Sequence, residues 1–231
     1  MTEDLRARLG GVRERIAAAL ERSGRATDAV TIVAVTKTYP AAAVLEARAA
    51  GLSDVGENRV QELAEKVEAV GRNAVTWHLI GHLQRNKARR ALPTFDLLHS
   101  LDSDRLAREL SESAVAAGTT VRALVQVNAS GEETKSGFAP EEVVDAVGGI
   151  CALPGLRVEG LMTMAPFTDD EGVIRRTFAA TRAARDEAVR QIPGFGGEHL
   201  SMGMSNDYEV AVEEGSTMVR LGTVLFGARP T

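Results

Sequence analysis

A single cysteine, Cys151, excludes an intramolecular disulfide and any cysteine cluster for zinc or for iron and sulfur. A reducing compartment suits such a chain. No apolar run reaches the ~18 residues needed to cross a bilayer, and the N-terminus is acidic and amphipathic where a signal peptide would be basic and then apolar. A cytoplasmic protein is expected. Positive charge is not in excess either: the formal net charge of -5 argues against a general binder of nucleic acid or of anionic membranes, and points to small partners. Linkers, repeats and low-complexity stretches are missing, so residues 1–231 read as one domain. Hydrophobic residues at 44% supply ample core.

What the chain does have is alternation. Residues 30–40, VTIVAVTKTYP, begin as a continuous apolar run and break at Pro40. Val30, Ile32, Val33 and Val35 mark a strand buried on both faces, as in a parallel sheet covered by helices. That strand delivers Lys37 to its C-terminal edge, where α/β proteins place their ligands. Before it, Leu5, Leu9, Val12, Ile16 and Leu20 recur at helical spacing behind a Thr2 cap with Glu3 and Asp4 in the first turn. After it, Pro40 opens a helix that turns Val44, Leu45 and Ala49 inward and stops at Gly51.

Seven more strand signals follow: LSDV, VTWHLIG, FDLLHS, VRALVQVN, LRVEGLMTM, HLSMG and TMVRLG. Helical patterns separate them. One runs from about 58 to 70 with Val60, Leu63, Val67 and Val70 on a face, and one from a cap at Ser103 or Asp104 to about 117. Another starts at Pro140, a long polar one covers about 169–190, and Asn206 with Glu209 resembles a capping box for a helix stopping at Gly215. Eight strands so separated predict a closed (β/α)8 barrel with an extra N-terminal helix. The alternative is a doubly wound sheet, which usually carries a glycine fingerprint after its first strand. None follows VTIVAV.

Polar residues gather at the predicted strand ends: Lys37; Gly56, Glu57 and Asn58; His78, Gly81 and His82; His99 and Ser100; Asn128; Met162 and Met164; Ser201, Gly203 and Ser205; Arg220, Gly222 and Thr223. The small residues after strands seven and eight let backbone N–H groups approach an anion, where barrels commonly bind phosphate. Other patterns are set aside. His78 and His82 lack the intervening glutamate of a zinc helix and sit in a strand pattern, so no metal is expected. RNKARR, residues 85–90, reads as a solvated helix face, and Met162, Met164, Met202 and Met204 as rim packing. GFGGEH precedes a strand, so it is a loop and no dinucleotide fingerprint.

AVTKTYP, GENRVQE, WHLIGHLQRNK, HSLDS, KSGF and LSMGMSNDYEVAVEEGSTMVRLGTVLFG, in this order, resemble the pyridoxal phosphate homeostasis protein family, single (β/α)8 barrels related to the barrel domain of alanine racemases. The resemblance implies a fold-type III barrel binding pyridoxal 5'-phosphate as a Schiff base on Lys37. It implies phosphate on Ser201, Gly222 and Thr223, Arg220 at the pyridine nitrogen, Asn58 near the phenolic oxygen, and His78 or Met202 near the ring. A guanidinium at that nitrogen makes the ring a poor electron sink, and only Tyr39 and Tyr208 offer a phenol as second acid or base. A monomer that buffers or delivers the cofactor without significant catalysis is expected, with apo enzymes that use it as candidate partners. The alternatives are a racemase-like pyridoxal phosphate enzyme and an aldolase-type barrel.

Overall fold

The computed structural model describes residues 2–131 and 136–227, so Lys135 of the KSGF motif lies outside the described residues. Eight parallel strands, β1 Thr31–Val35, β2 Asp54–Glu57, β3 Thr76–Leu79, β4 Leu97–Leu101, β5 Val121–Val127, β6 Leu156–Thr163, β7 His199–Ser201 and β8 Met218–Leu221, close into a barrel in chain order. The last pairs with the first, Val33 beside Arg220. Around them run α1 Thr2–Arg22, α2 Ala42–Ala49, α3 Val60–Val70, α4 Ala88–Ala91, α5 Asp104–Ala117, α6 Val143–Cys151, α7 Glu171–Gln191, α8 Tyr208–Glu213 and α9 Thr223–Phe226. This is the predicted barrel with its extra helix, not the doubly wound sheet.

Successive strand residues point to opposite faces, and here the two faces meet different surroundings. Ala34, Val55, Trp77, Leu98, Leu161 and Val219 pack in the main core shared with the helices. Leu97, Leu124, Met162 and Met218 form a separate apolar cluster with Met164 against it. That second cluster is the inside of the barrel. The predicted stripe of α1 is buried throughout, and α1 packs against α8 and α9. Ser103 caps α5 as its residue type predicts, its hydroxyl accepting from the Leu106 N–H at 3.4 Å.

Several local readings are corrected. Leu45 is half exposed and Ala49 is exposed; α2 buries Ala43, Val44 and Ala47, one helical step away. Helix α3 begins at Val60, because Arg59 before it is extended and leaves Asn58 in the loop. Pro140 opens a 3-10 turn that leads into α6. The box at Asn206 does not form: Asp207 sits at the N-cap of α8, and its carboxylate accepts from the Met204 N–H at 2.6 Å. RNKARR falls on a 3-10 turn and the single turn of α4, too short for a helix face. Among the described residues no helix is long and apolar enough to cross a membrane.

Candidate functional site

A cavity of about 430 Å³ opens at the C-terminal end of the barrel. Its wall takes Val35 and Lys37 from β1 and its loop, Asn58 after β2, Ile80, Gly81 and His82 after β3, and Gln126 and Ser136 from β5 and beyond. Met164 follows β6, while Met204, Ser205 and Asn206 follow β7; Arg220, Gly222 and Thr223 close the ring from β8. Among these described residues the ionisable side chains are Lys37, His82 and Arg220, with no carboxylate and no phenol.

Lys37 is half-buried in a tight turn in which the Tyr39 N–H donates to the Thr36 carbonyl at 3.0 Å. Thr38 next to it has φ 70°, the left-handed region that a β-branched residue rarely enters. Strain of this kind persists only where neighbours over-determine it. Here they do: the Thr38 N–H donates to Glu62 Oε1 at 2.6 Å, and Lys66 Nζ donates to the Thr36 carbonyl at 2.7 Å. Lys66 also bonds Glu57 Oε1 at 2.7 Å and Glu62 Oε1 at 2.9 Å, and the Thr36 hydroxyl donates to Glu57. Burial pushes the Glu57 carboxyl up despite these bonds, and its Oε2 has no partner. The turn carrying Lys37 is thus clamped from behind by a second, sealed lysine.

Arg220 forms part of the cavity floor. Its Nη1 donates to both the carbonyl and the hydroxyl oxygen of Ser201 at 2.7 Å, and its Nη2 to the Thr163 carbonyl at 2.9 Å. Burial brings its pKa down to about 10, with Asp207 acting in the other direction. The guanidinium stays charged at neutral pH. Below it, Ser201 Oγ lies 2.9 Å from His99 Nδ1, His99 Nε2 lies 2.8 Å from His78 Nδ1, and His78 Nε2 lies 3.0 Å from Asp54 Oδ1.

A family model for the alanine racemase N-terminal domain matches residues 9–230. Pyridoxal phosphate homeostasis proteins of Aquifex aeolicus and Pseudomonas aeruginosa are each 42% identical to this chain. The matches cover 96% of it and 97% of the first, and 94% of it and 93% of the second. The chain belongs to the pyridoxal phosphate homeostasis protein family. The solved structure of PipY from Synechococcus elongatus without pyridoxal phosphate is 37% identical, covers 96% of this chain and 100% of that one, and superposes with a TM-score of 0.86. The structure of PipY with the cofactor bound gives 36%, the same coverage and 0.83.

In this member of the pyridoxal phosphate homeostasis family, five of the eight sequence-predicted site residues, Lys37, Asn58, Arg220, Gly222 and Thr223, meet at the cavity. The other three, His78, Ser201 and Met202, do not line it. Met202 points outward into the helix-facing core, since side chains alternate along the chain and Ser201 points in. Ser201 and His78 are inward but one layer lower, buried in the hydrogen-bonded column beneath Arg220. Ser205, four residues after Ser201, lines the wall instead and accepts from the Val224 N–H at 3.4 Å. Gln126 similarly replaces Asn128, and it donates to the Ser136 carbonyl at 2.7 Å. Alternation along VRALVQVN offered Gln126 as an inward polar residue; depth in the barrel was the missing information. His82, not His78, reaches the mouth, with its Nδ1 2.9 Å from Asp102.

Proposed function

We propose that this chain binds pyridoxal 5'-phosphate in the cavity, with Lys37 as the covalent anchor, and buffers or delivers it without significant catalysis. The observation that carries this is one cavity faced by an amine and a cationic guanidinium but by no carboxylate or phenol among its described residues. The fit to the group is good in kind: the volume falls within the ~300–1,000 Å³ of small-molecule sites. Ser205, Thr223 and side-chain-free Gly222 make a small, hydroxyl-bearing wall suited to a phosphate, and Asn58 lines the same cavity as Lys37. Bound there, the cofactor supplies an aldehyde and an electron-withdrawing ring.

Lys37 captures the aldehyde reversibly, because one amine replaces another on the same carbon and the cofactor stays recoverable. Arg220 holds a positive charge at the floor, which would disfavour a proton on a ring nitrogen bound against it and so weaken the electron sink that carbanion chemistry needs. Neither tyrosine reaches the site. The Tyr39 hydroxyl donates to the Gly227 carbonyl at 2.9 Å, and Tyr208 is buried in the helix-facing core. In this reading the protein acts in the cytoplasm as a monomer and returns the cofactor to apo enzymes.

Borohydride reduction of the loaded protein followed by peptide mapping tests the anchor. The pyridoxyl group is expected on the Lys37 peptide, with Lys37→Ala losing the visible band. Label mainly on Lys87 or Lys135 would sink the assignment. Alanine racemisation at ~1 s⁻¹ or faster, lost in Lys37→Ala, would replace the carrier by an enzyme.

A further inference from the structure

The polar column through the barrel interior has a direction. Arg220 can only donate, so the Ser201 hydroxyl oxygen accepts from it and is free to pass its own hydrogen to His99 Nδ1. His99, accepting there, then carries its hydrogen on Nε2 and donates to His78 Nδ1. By the same rule His78 carries its hydrogen on Nε2, where the Asp54 carboxylate accepts it. Every ring nitrogen has one role, and with Asp54 ionised no other assignment of two neutral imidazoles satisfies all four contacts. Ser201, His99 and His78 are buried; Asp54 is the end that touches solvent, its side chain about one-fifth exposed.

We infer that Asp54, His78, His99 and Ser201 form a one-way hydrogen-bond relay that positions Arg220 from the opposite mouth of the barrel. They are positioning residues, since none touches the cavity. Uptake of one proton by the imidazole pair leaves His78 with both ring hydrogens and moves the His99 hydrogen from Nε2 to Nδ1. The sum is one proton more, and both the His78–His99 and His99–Ser201 bonds reverse. Ser201 Oγ then receives from two donors while its own hydrogen loses its acceptor, and positive charge gathers below Arg220.

The surrounding charges favour the neutral, one-way state. Arg72 pairs with Asp96 beside β3, and Arg122 with Glu159 across β5 and β6, so these largely cancel. His199 on β7 and Arg220 on β8, with Asp207 behind it, remain. Burial, then His78, Arg220 and His199, hold the His99 imidazole well below its usual range, which agrees with the geometry. Asp54, although burial alone would raise it, is held low by its bonds to His78 and Ser53.

Long-range nitrogen NMR on histidine-labelled protein without cofactor tests the relay independently of the cofactor-binding reading. At pH 8 both His78 and His99 are expected as Nε2–H tautomers. Asp54→Asn, whose amide can donate to His78 Nε2, is expected to shift His99 toward the Nδ1–H form two strands away from the change, with the circular dichroism of the parent. A hydrogen on His99 Nδ1 in the parent overturns the proposal, and so does a His99 that stays unmoved in Asp54→Asn while His78 there has lost its Nε2 hydrogen. Should that variant not fold, the parent is titrated from pH 8 to 5. One coupled step for the two rings, or both rings unchanged as Nε2–H tautomers, supports the relay, and independent steps refute it. A last arm rests on the proposed function: Asp54→Asn weakens pyridoxal phosphate retention about two- to tenfold, the loss of one hydrogen bond's worth. Retention unchanged, with the tautomers shifted as expected, refutes the link to Arg220 and leaves cofactor binding intact.

Discussion

Replacing Gly81 by alanine tests the geometry of the cavity wall. A Cβ built there lies 2.2 Å from the Asn58 carbonyl oxygen and 2.8 Å from two further Asn58 backbone atoms. Ordinary contact begins at 3.4 Å, so the two segments must part by about 1.2 Å, the difference between 3.4 and 2.2. Both segments are backbone, both line the cavity, and neither can swing aside as a flexible side chain would. Overpacking of this kind costs about 1–3 kcal/mol. For a chain of this size each kcal/mol lowers the melting temperature by about 2–4 °C, which gives a fall of about 2–12 °C. In the proposed function, moving Asn58 also costs one contact to the cofactor, so Kd for pyridoxal phosphate is expected to rise about two- to tenfold. Scanning calorimetry and an absorbance titration read the two effects. Gly10→Ala is the control, because a Cβ there meets nothing within 4 Å and a helix favours alanine. A Gly81→Ala protein that melts within about 1 °C of the parent and binds the cofactor equally well would refute the reasoning.

Pyridoxal lacking its phosphate is expected to bind much more weakly than pyridoxal phosphate, losing charge-assisted bonds of ~1.5–3 kcal/mol each, and Ser205→Ala to narrow that gap more than Ser201→Thr; competition titrations decide. Ser103→Ala removes the α5 cap and is expected to cost about 1 kcal/mol in urea unfolding with m unchanged. Asp96, bonded twice by Arg72 at 2.6 and 2.8 Å and by the Trp77 N–H at 2.7 Å, has its carboxyl held below the ordinary value although burial opposes this. Its contribution is therefore complete above the unfolded value of ~3.9 and is lost as pH falls through the lower folded one. Urea midpoints against pH should show Asp96→Asn flattening the acid limb below about pH 4; an unchanged limb would exclude Asp96 as a source of it.

Most of the strands were legible because they are apolar runs bounded by polar turns, and eight strands alternating with helices, with no glycine fingerprint after the first, suit a closed barrel better than an open sheet. Lys37 was legible for the same reason, since it ends the clearest run. Depth inside the barrel was not. Ser201 and Ser205 both follow strand seven, and only the stagger between β6, β7 and β8 decides which of them reaches the cavity. The contact of His78 with His99 was equally hidden, because it depends on the β3–β4 register that sets His78 beside Leu97. Leu45 failed for a different reason: α2 is only two turns long, and a helix that short needs just one narrow stripe, which Ala43, Val44 and Ala47 already provide.

The sealed lysine behind the Lys37 turn bears on how a protein can store an aldehyde without being damaged by it. The chain holds four lysines against 23 arginines, and a guanidinium does not condense with an aldehyde as an amine does. Lys66 spends all three of its ammonium hydrogens on Thr36, Glu57 and Glu62, so it has no lone pair to offer and no path for a reagent to reach it. Lys37 lies one residue beyond the Thr36 carbonyl that Lys66 grips, yet it faces the cavity. Two lysines that meet the same turn therefore differ completely in their chemistry. In the proposed function one is a fastener and the other a reagent, and reaction of the stored aldehyde with the protein itself is confined by how few other lysines the chain carries.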